Sequence, residues 1–242
     1  MTRLSVNLNK IALIRNSREG ETPNVLSFAL SAIKFGAMGI TVHPRPDGRH
    51  IRTPDVYALA EAISVEFNIE GNPTPNFIDL VLDVEPAQVT LVPDDPSQLT
   101  SDHGWDLAKD DERLKPILAE FHQAGIRVSL FMDPDPNLIP RAAEIGADRV
   151  ELYTEAYAQA YGTSEGDATL QAYIDSAKSA ADSGLGVNAG HDLNQENLGE
   201  FCHRVPGVLE VSIGHALVSE SLEQGWEPTI RSYVSILEGA ED

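Results

Sequence analysis

Short apolar runs rich in β-branched residues recur along the chain, each followed by a segment of mixed or helical spacing. The runs are LSVNL (4–8), GITVH (39–43), FNIE (67–70), QVTLV (88–92), RVSLFM (127–132), RVELY (149–153), GVNAG (186–190) and LEVSIG (209–214). Several are close to continuously apolar, the pattern of strands buried on both faces. Between them VLSFALSAIKFG, DVYALAEAISVEF, LAKDDERLKPILAEFHQAG, NLIPRAAEIGA and TLQAYIDSAKSAADSG carry helical periodicity, and several close on a glycine just before the next run. The spacing predicts eight strands alternating with helices, at roughly 20 to 40 residues per unit. No Pro/Ser-rich linker or shift of composition divides the chain. A single (β/α)8 TIM barrel over residues 1–242 is the expected fold. A doubly wound open sheet is the competing architecture, but no Gly-x-Gly-x-x-Gly follows the first strand to support dinucleotide binding.

Composition narrows the functional class. The chain is 42% hydrophobic and 23% charged over 242 residues, ordinary for a soluble globular protein. Its formal net charge of -21 argues against nucleic acid as a partner, because neutralising phosphates needs a basic surface. Anionic membrane surfaces are disfavoured for the same reason. No run is long enough to span a bilayer, and MTRLSVNLNKIALI at the N-terminus is too polar for a signal peptide. The single cysteine, Cys202, leaves no internal disulfide, so a reducing cytoplasm is expected and Cys202 reads as a packing residue. Asp94-Asp95, Asp110-Asp111 and the tail Glu241-Asp242 read as solvated surface.

Barrel chemistry belongs at the C-terminal ends of the strands. Strand one ends in Asn7, Asn9 and Lys10; strand two in His43, followed by Arg45, Arg49 and His50. Strand three ends in Glu70, and strand four leads into the polar loop PDDPSQLTSDHGWD with Thr100. Strand six carries Glu151, which reads as a polar barrel-interior residue; strand seven runs into Asn188 and His191, strand eight into Gly214-His215. Four of the seven histidines thus fall at or just past strand ends. Arginine and histidine there suit an anionic substrate, since Arg grips phosphate bidentately. Gly190 and Gly214 allow backbone amides to approach a second anion, so two phosphates are expected. His43, Glu70 and His191 have the chemistry of general acids and bases near neutral pH. Of five lysines only Lys10 lies at a strand end, so a Schiff base on the protein could form only there. No close histidine pair has metal-ligand spacing, so no metal is expected.

VNLNKIALIRNSR, GITVHPRPDGRHI and VNAGHDL together resemble the pyridoxine 5'-phosphate synthase family, and the likeness continues in order through NIEGN, LVPDDPSQLTSDHGWD, GIRVSLFMD and IGHAL. The resemblance implies a barrel with extra helical elements that condenses 3-amino-2-oxopropyl phosphate with 1-deoxy-D-xylulose 5-phosphate. The products are pyridoxine 5'-phosphate, inorganic phosphate and water. It implies His43 and Glu70 as acid/base groups and His191 as the proton donor for phosphate loss. Arg45, His50 and Thr100 would hold the deoxyxylulose phosphate; Asn7, Arg18, Gly214 and His215 the amino-ketone phosphate. The loop after strand four would be a lid, and dimers would assemble into a homo-octamer. Two departures stand out. Many members carry Asp-His where this chain has Asn9-Lys10, and Gly where it has Asp192. These three are kept among the substrate-binding candidates. Asp192 would offer its backbone N–H to phosphate, its side chain pointing away or capping a helix near Leu193. A phosphosugar isomerase or aldolase on the same scaffold, and a non-catalytic metabolite-binding barrel, are the alternative functions; fold alone separates none of them.

Overall fold

The computed structural model describes residues 1–94, 98 and 101–240. Eight parallel strands close a barrel in chain order: β1 (Arg3–Asn7), β2 (Gly39–Val42), β3 (Glu66–Gly71), β4 (Gln88–Leu91), β5 (Arg127–Met132), β6 (Arg149–Leu152), β7 (Gly186–Ala189) and β8 (Val208–Ile213). Closure comes from β1 lying beside β8, with Leu4 opposite Val211. The described helices are α1 (Asn9–Asn16), α2 (Val25–Lys34), α3 (Thr53–Ala62), α4 (Pro75–Val84), α5 (Leu107–Gln123), α6 (Ile139–Glu144), α7 (Glu155–Ala160), α8 (Gly166–Asp182), α9 (Leu198–Arg204), α10 (His215–Gln224) and α11 (Trp226–Gly239). The first, sixth and eighth strands are each followed by two helices, and these pairs are the extra elements beyond one helix per strand.

Local chemistry explains the boundaries. Asn24 starts α2 by accepting the Ser27 amide at 2.8 Å. Proline sits in the first turn of α3, α4 and α6, where its missing N–H has no intrahelical role. After α5 and α8 the chain reverses through Gly125 (φ 76°) and Gly184 (φ 76°), a conformation that side chains resist. DVYALAEAISVEF, expected to be helical throughout, leaves the helix at Ala62: Ile63 is already extended, leading into β3.

The strands are buried on both faces, but their two faces differ chemically. Val6, Ile40, Ile69, Val89, Leu130, Val150, Val187 and Val211 point outward into the apolar layer under the helices. Their sequence neighbours point inward and are polar. Ser5 bonds Thr41 at 2.7 Å, Asn68 donates to Thr41 at 3.4 Å, and Thr90 donates to Asn68 at 3.0 Å. The expectation of near-continuously apolar strands is therefore corrected: half of each is a polar barrel lining. Such a lining departs from the branched aliphatic layers usual in this fold.

Toward the N-terminal end the lining becomes ionic. Glu66 on β3 takes Arg127 in a close ion pair and Arg3 at 3.1 Å. Arg127 also donates to Gln88 at 2.9 Å, and Arg149 to Asn188 at 3.2 Å. Glu151 and Glu210 lie between this end and the mouth, each with one carboxylate oxygen lacking a hydrogen-bond partner in the protein. Glu151 is 3% exposed, so its reading as an interior residue stands. Burial, then the neighbouring Glu70 and Glu210, pushes its carboxyl far up. Burial first, then Glu66, pushes Glu210 up to about 7, against the pull of Arg149 and Arg127.

This has a consequence for stability. A carboxyl that binds its proton more tightly when folded contributes fully below its unfolded pKa, near 4.5, and loses that contribution as pH rises through its folded value, near 7. Glu210→Gln, neutral at every pH, is expected to lose less thermal stability than the parent between pH 5 and pH 8. Parallel melting curves across that range check it; identical pH dependence would contradict it.

Candidate active site at the barrel mouth

The mouth is assembled by two asparagines. Asn7, closing β1, donates to the Glu70 carboxylate at 3.3 Å and accepts the Asn9 amide at 3.0 Å. Asn9 in turn accepts the His43 amide at 2.8 Å, tying the end of β1 to the end of β2. Asn9 and Lys10 are therefore not strand residues but the first turn of α1, and the Asn9 carbonyl oxygen is occupied by backbone. Gly214 packs closely here: a Cβ would meet the Asn7 side chain at 3.1 Å and oblige it to shift.

On the β2 side, the two histidines and two arginines of the HPRPDGRH loop divide their work. His43 is buried, and desolvation, then Arg45, His50 and Arg49, holds its pKa well below 6.5. It is a neutral imidazole at pH 7, able to accept a proton. Its ring meets that of His50 edge-on at 5.9 Å. Desolvation, then Arg45, Arg49 and Lys10, lowers His50 to about 4. Its Nδ1 accepts the Ile51 amide at 3.0 Å, so Nε2 carries the hydrogen. Arg45 is 7% exposed and paired with Asp94, itself 4% exposed; it also donates to the Gln98 carbonyl at 2.9 Å. The reading of Asp94 as solvated surface is corrected here. Burial raises its pKa, offset in part by Ser101, which donates at 2.8 Å, and by Arg45. A cavity of about 740 Å3 opens beside this pair, between the loops after β2 and β3, with Phe77, Leu80 and Ile51 on its apolar wall.

Across the mouth, Glu70 and His191 are tuned in concert. Desolvation is the largest effect on Glu70 and brings it to about 7, with Asp94 pushing the same way and His191, Asn7 and Arg45 pulling it back. Burial works against a charged His191, but Asp192, Glu70 and Asp94 outweigh it and its pKa is raised. Phe131 and Tyr153 stand edge-on to the His191 ring, at 6.4 and 5.5 Å, and with Val92 they form an apolar wall. The long loop after β4 re-enters the fold at Trp105, whose indole donates to the Leu91 carbonyl at 2.8 Å.

Other candidates are placed differently. Asp192 neither caps a helix nor offers its amide: α9 begins only at Leu198, and the Asp192 N–H goes to the Thr154 hydroxyl at 3.3 Å. Arg18 lies beyond α1, exposed, with no side-chain partner among the described residues, and His215 is exposed at the start of α10. Thr100 and the tail Glu241-Asp242 lie outside the described residues. Cys202 packs partly buried against the core, as expected. Among the described residues no three His, Cys, Asp or Glu side chains are grouped to hold a metal ion, and no helix is long and apolar enough to cross a membrane. Sequence reasoning missed Phe131 and Tyr153, which sit inside apolar runs, and Asp94, which opens an acidic, polar loop.

A closed parallel barrel with ionisable side chains and a buried arginine at the C-terminal ends of its strands places the chain in the (β/α)8 class. Solved structures agree on the fold: phosphoribosyl anthranilate isomerase from Thermotoga maritima superposes with a TM-score of 0.64 at 16% identity, covering 99% of this chain and 100% of that one. Ligand-free tryptophan synthase from M. tuberculosis gives 0.65 at 14% identity, covering 99% and 92%. Residues 4–239 match the family described as pyridoxal phosphate biosynthesis protein PdxJ, and the chain belongs to that family. Pyridoxine 5'-phosphate synthase of Bacteroides thetaiotaomicron is 56% identical over 237 residues, 98% of this chain and 100% of that protein. The Xanthomonas campestris protein of the same name is 54% identical over 248 residues, 98% of this chain and 97% of its own.

The Glu70 carboxyl is expected to titrate near 7 rather than in the ordinary carboxylate range. The infrared carboxyl band lost on Glu70→Gln, followed against pH, measures it; a midpoint below 5 would refute the assignment.

Proposed function

We propose that the chain condenses 3-amino-2-oxopropyl phosphate with 1-deoxy-D-xylulose 5-phosphate to pyridoxine 5'-phosphate, phosphate and water. The observation that carries this reading is the mouth itself. It holds a neutral imidazole at His43, a carboxyl at Glu70 poised near pH 7, and a proton-bearing imidazole at His191. Repeated dehydration and ring closure need groups that both take and give protons near neutrality. A protein that only bound a metabolite would need the cations but not this graded set.

His43 takes a proton during ring closure, Glu70 shuttles protons through the dehydrations, and His191 gives a proton to the departing phosphate. The imine forms between the substrates, in keeping with Lys10 as the lone lysine near the mouth, on α1 rather than at its centre. Arg45, His50 and Thr100 hold the deoxyxylulose phosphate; the Nε2–H of His50 and the Arg45 guanidinium are donors suited to it. Asn7, Arg18, Gly214 and His215, with Asn9 and Lys10, serve the amino-ketone phosphate, the α10 N-terminus adding amide donors. The loop after β4 closes over both and keeps water from the imine. No metal or organic cofactor takes part. We place the protein, as one barrel domain over residues 1–242, in the cytoplasm without a nucleic-acid partner. Assembly of dimers into an octamer is supported by exposed apolar residues Leu13 and Ile14 on α1 and Leu222 on the adjoining α10.

Product formed by purified, chelator-treated protein only when both substrates are supplied is the expected result. Turnover of one sugar phosphate alone would favour the isomerase or aldolase reading. Arg45→Ala is expected to raise the KM for deoxyxylulose phosphate about tenfold or more while kcat falls less, as loss of a charged contact does. Steady-state kinetics with each substrate varied in turn checks it; a KM effect on the amino-ketone alone would reassign Arg45.

A further inference from the structure

Asp192 faces away from the role the sequence suggested for it. Its carboxylate lies 2.8 Å from Nδ1 of His191. The backbone leaves it little freedom. The Leu193 amide bonds the Gly190 carbonyl at 2.7 Å, closing a tight turn around His191 and Asp192. The Asp192 amide is held by Thr154 at 3.3 Å. Gly190 lies so close to β8 that a Cβ would meet the Ser212 carbonyl oxygen at 2.1 Å, so only glycine fits where the turn leaves the barrel wall. On the far side the imidazole is flanked by the rings of Tyr153 and Phe131. An imidazole whose Nδ1–H is held by a carboxylate has a fixed tautomer and ring orientation, and its conjugate acid is stabilised.

We propose that Asp192 is a positioning residue: it holds the Nδ1–H of His191 so that Nε2 is the nitrogen that delivers the proton to the departing phosphate. The inference rests on the assignment of His191 as proton donor. In that step Glu70 takes the proton from the carbon next to the one bearing phosphate, and that C–H electron pair becomes a carbon–carbon double bond. The carbon–oxygen bond breaks with its pair leaving on the phosphate, and the Nε2 proton of His191 passes to that oxygen. The imidazolium becomes a neutral imidazole with its Nδ1–H still on Asp192, so the ring needs no second proton transfer. Among the described residues, the charged and titratable groups that face His191 include Asp192 on its own turn, Glu70 from β3, Asp94 from the loop after β4, and Tyr153 from the end of β6 with its partner Glu155. Of these, Asp192 is the one bonded to the ring. A carboxylate placed here also explains how an acidic residue persists in a mouth built for phosphates: its charge is spent on an imidazolium.

The test uses Asp192→Asn, which keeps the shape and an acceptor oxygen but loses the charge, and Asp192→Gly, which loses both. Expected are a kcat about tenfold lower in the glycine variant, a smaller loss in the asparagine variant, and little change in either KM. Because Asp192 favours the protonated ring, the basic limb of the kcat profile moves to lower pH in both. So does the NMR titration of the His191 imidazole, a readout that needs no turnover and that a merely structural role would not move. Wild-type kcat and an unmoved His191 titration in folded Asp192→Asn, or an effect confined to the amino-ketone KM, would overturn the proposal. His191→Gln separates the two layers. Lost turnover there with wild-type behaviour in the Asp192 variants overturns the positioning role alone, whereas full turnover in His191→Gln removes the proton-donor assignment beneath it.

Discussion

A closed barrel has no sheet edge and no solvent inside its wall, and this chain fills that interior with hydrogen-bonding and ionisable side chains. Everything at the mouth depends on that choice. An aliphatic interior is dry and stable; a polar one is tolerated only where each group finds a partner or gives up its charge. Here both solutions appear. Glu66 keeps its partners Arg3 and Arg127 at the N-terminal end, while Glu151 and Glu210, each with an unpartnered oxygen, have carboxyls raised by burial. The raised carboxyls then act on one another, and Glu151 is among the neighbours that Glu70 destabilises when charged.

The mouth inherits this gradient. His43 and His191 are the same residue type at the same level of the barrel, yet their environments move them in opposite directions. His43 has desolvation and a cluster of arginines and histidine, all disfavouring the imidazolium. His191 has three carboxyl groups that overcome the same desolvation. Two imidazoles moved in opposite directions from their usual pKa are the separation that lets one site hold a base and an acid at one pH. Glu70, brought to about 7 by burial, can give and take a proton near neutrality.

Much of this was legible in the sequence. All eight strands sit within a residue or two of the apolar runs that predict them, because period-two and period-3.6 patterns survive in a fold that buries one face of each strand under helices. Helices such as α1 and α10 begin directly at strand ends and carry few core residues, so periodicity left them silent. The chemistry of single side chains was legible too: His43, Glu70, Arg45 and His191 all reach the mouth. What pattern cannot supply is pairing across the sheet. Asp94 reads as one more acid in an acidic loop, yet it is buried against Arg45, which lies 49 residues away in the chain. Asp192 is adjacent to His191 in sequence, but whether its carboxylate turns toward the ring or toward solvent depends on Thr154, after β6, and on Ser212 of β8, against which Gly190 of the same turn packs.

The same logic resolves how so acidic a protein receives anionic substrates. A formal charge of -21 would repel phosphates if it acted at a distance. In physiological salt, charges more than about 8 Å apart across solvent are largely screened, whereas partly buried ones are not. The few cations are concentrated accordingly: Arg45 is buried at the mouth, and Arg49 and Lys10 lie close enough to depress His50. Arg45 is desolvated and held by Asp94 and by the Gln98 carbonyl, so its guanidinium is fixed against the loop that follows β4. Local burial, rather than overall charge, sets the field at this mouth.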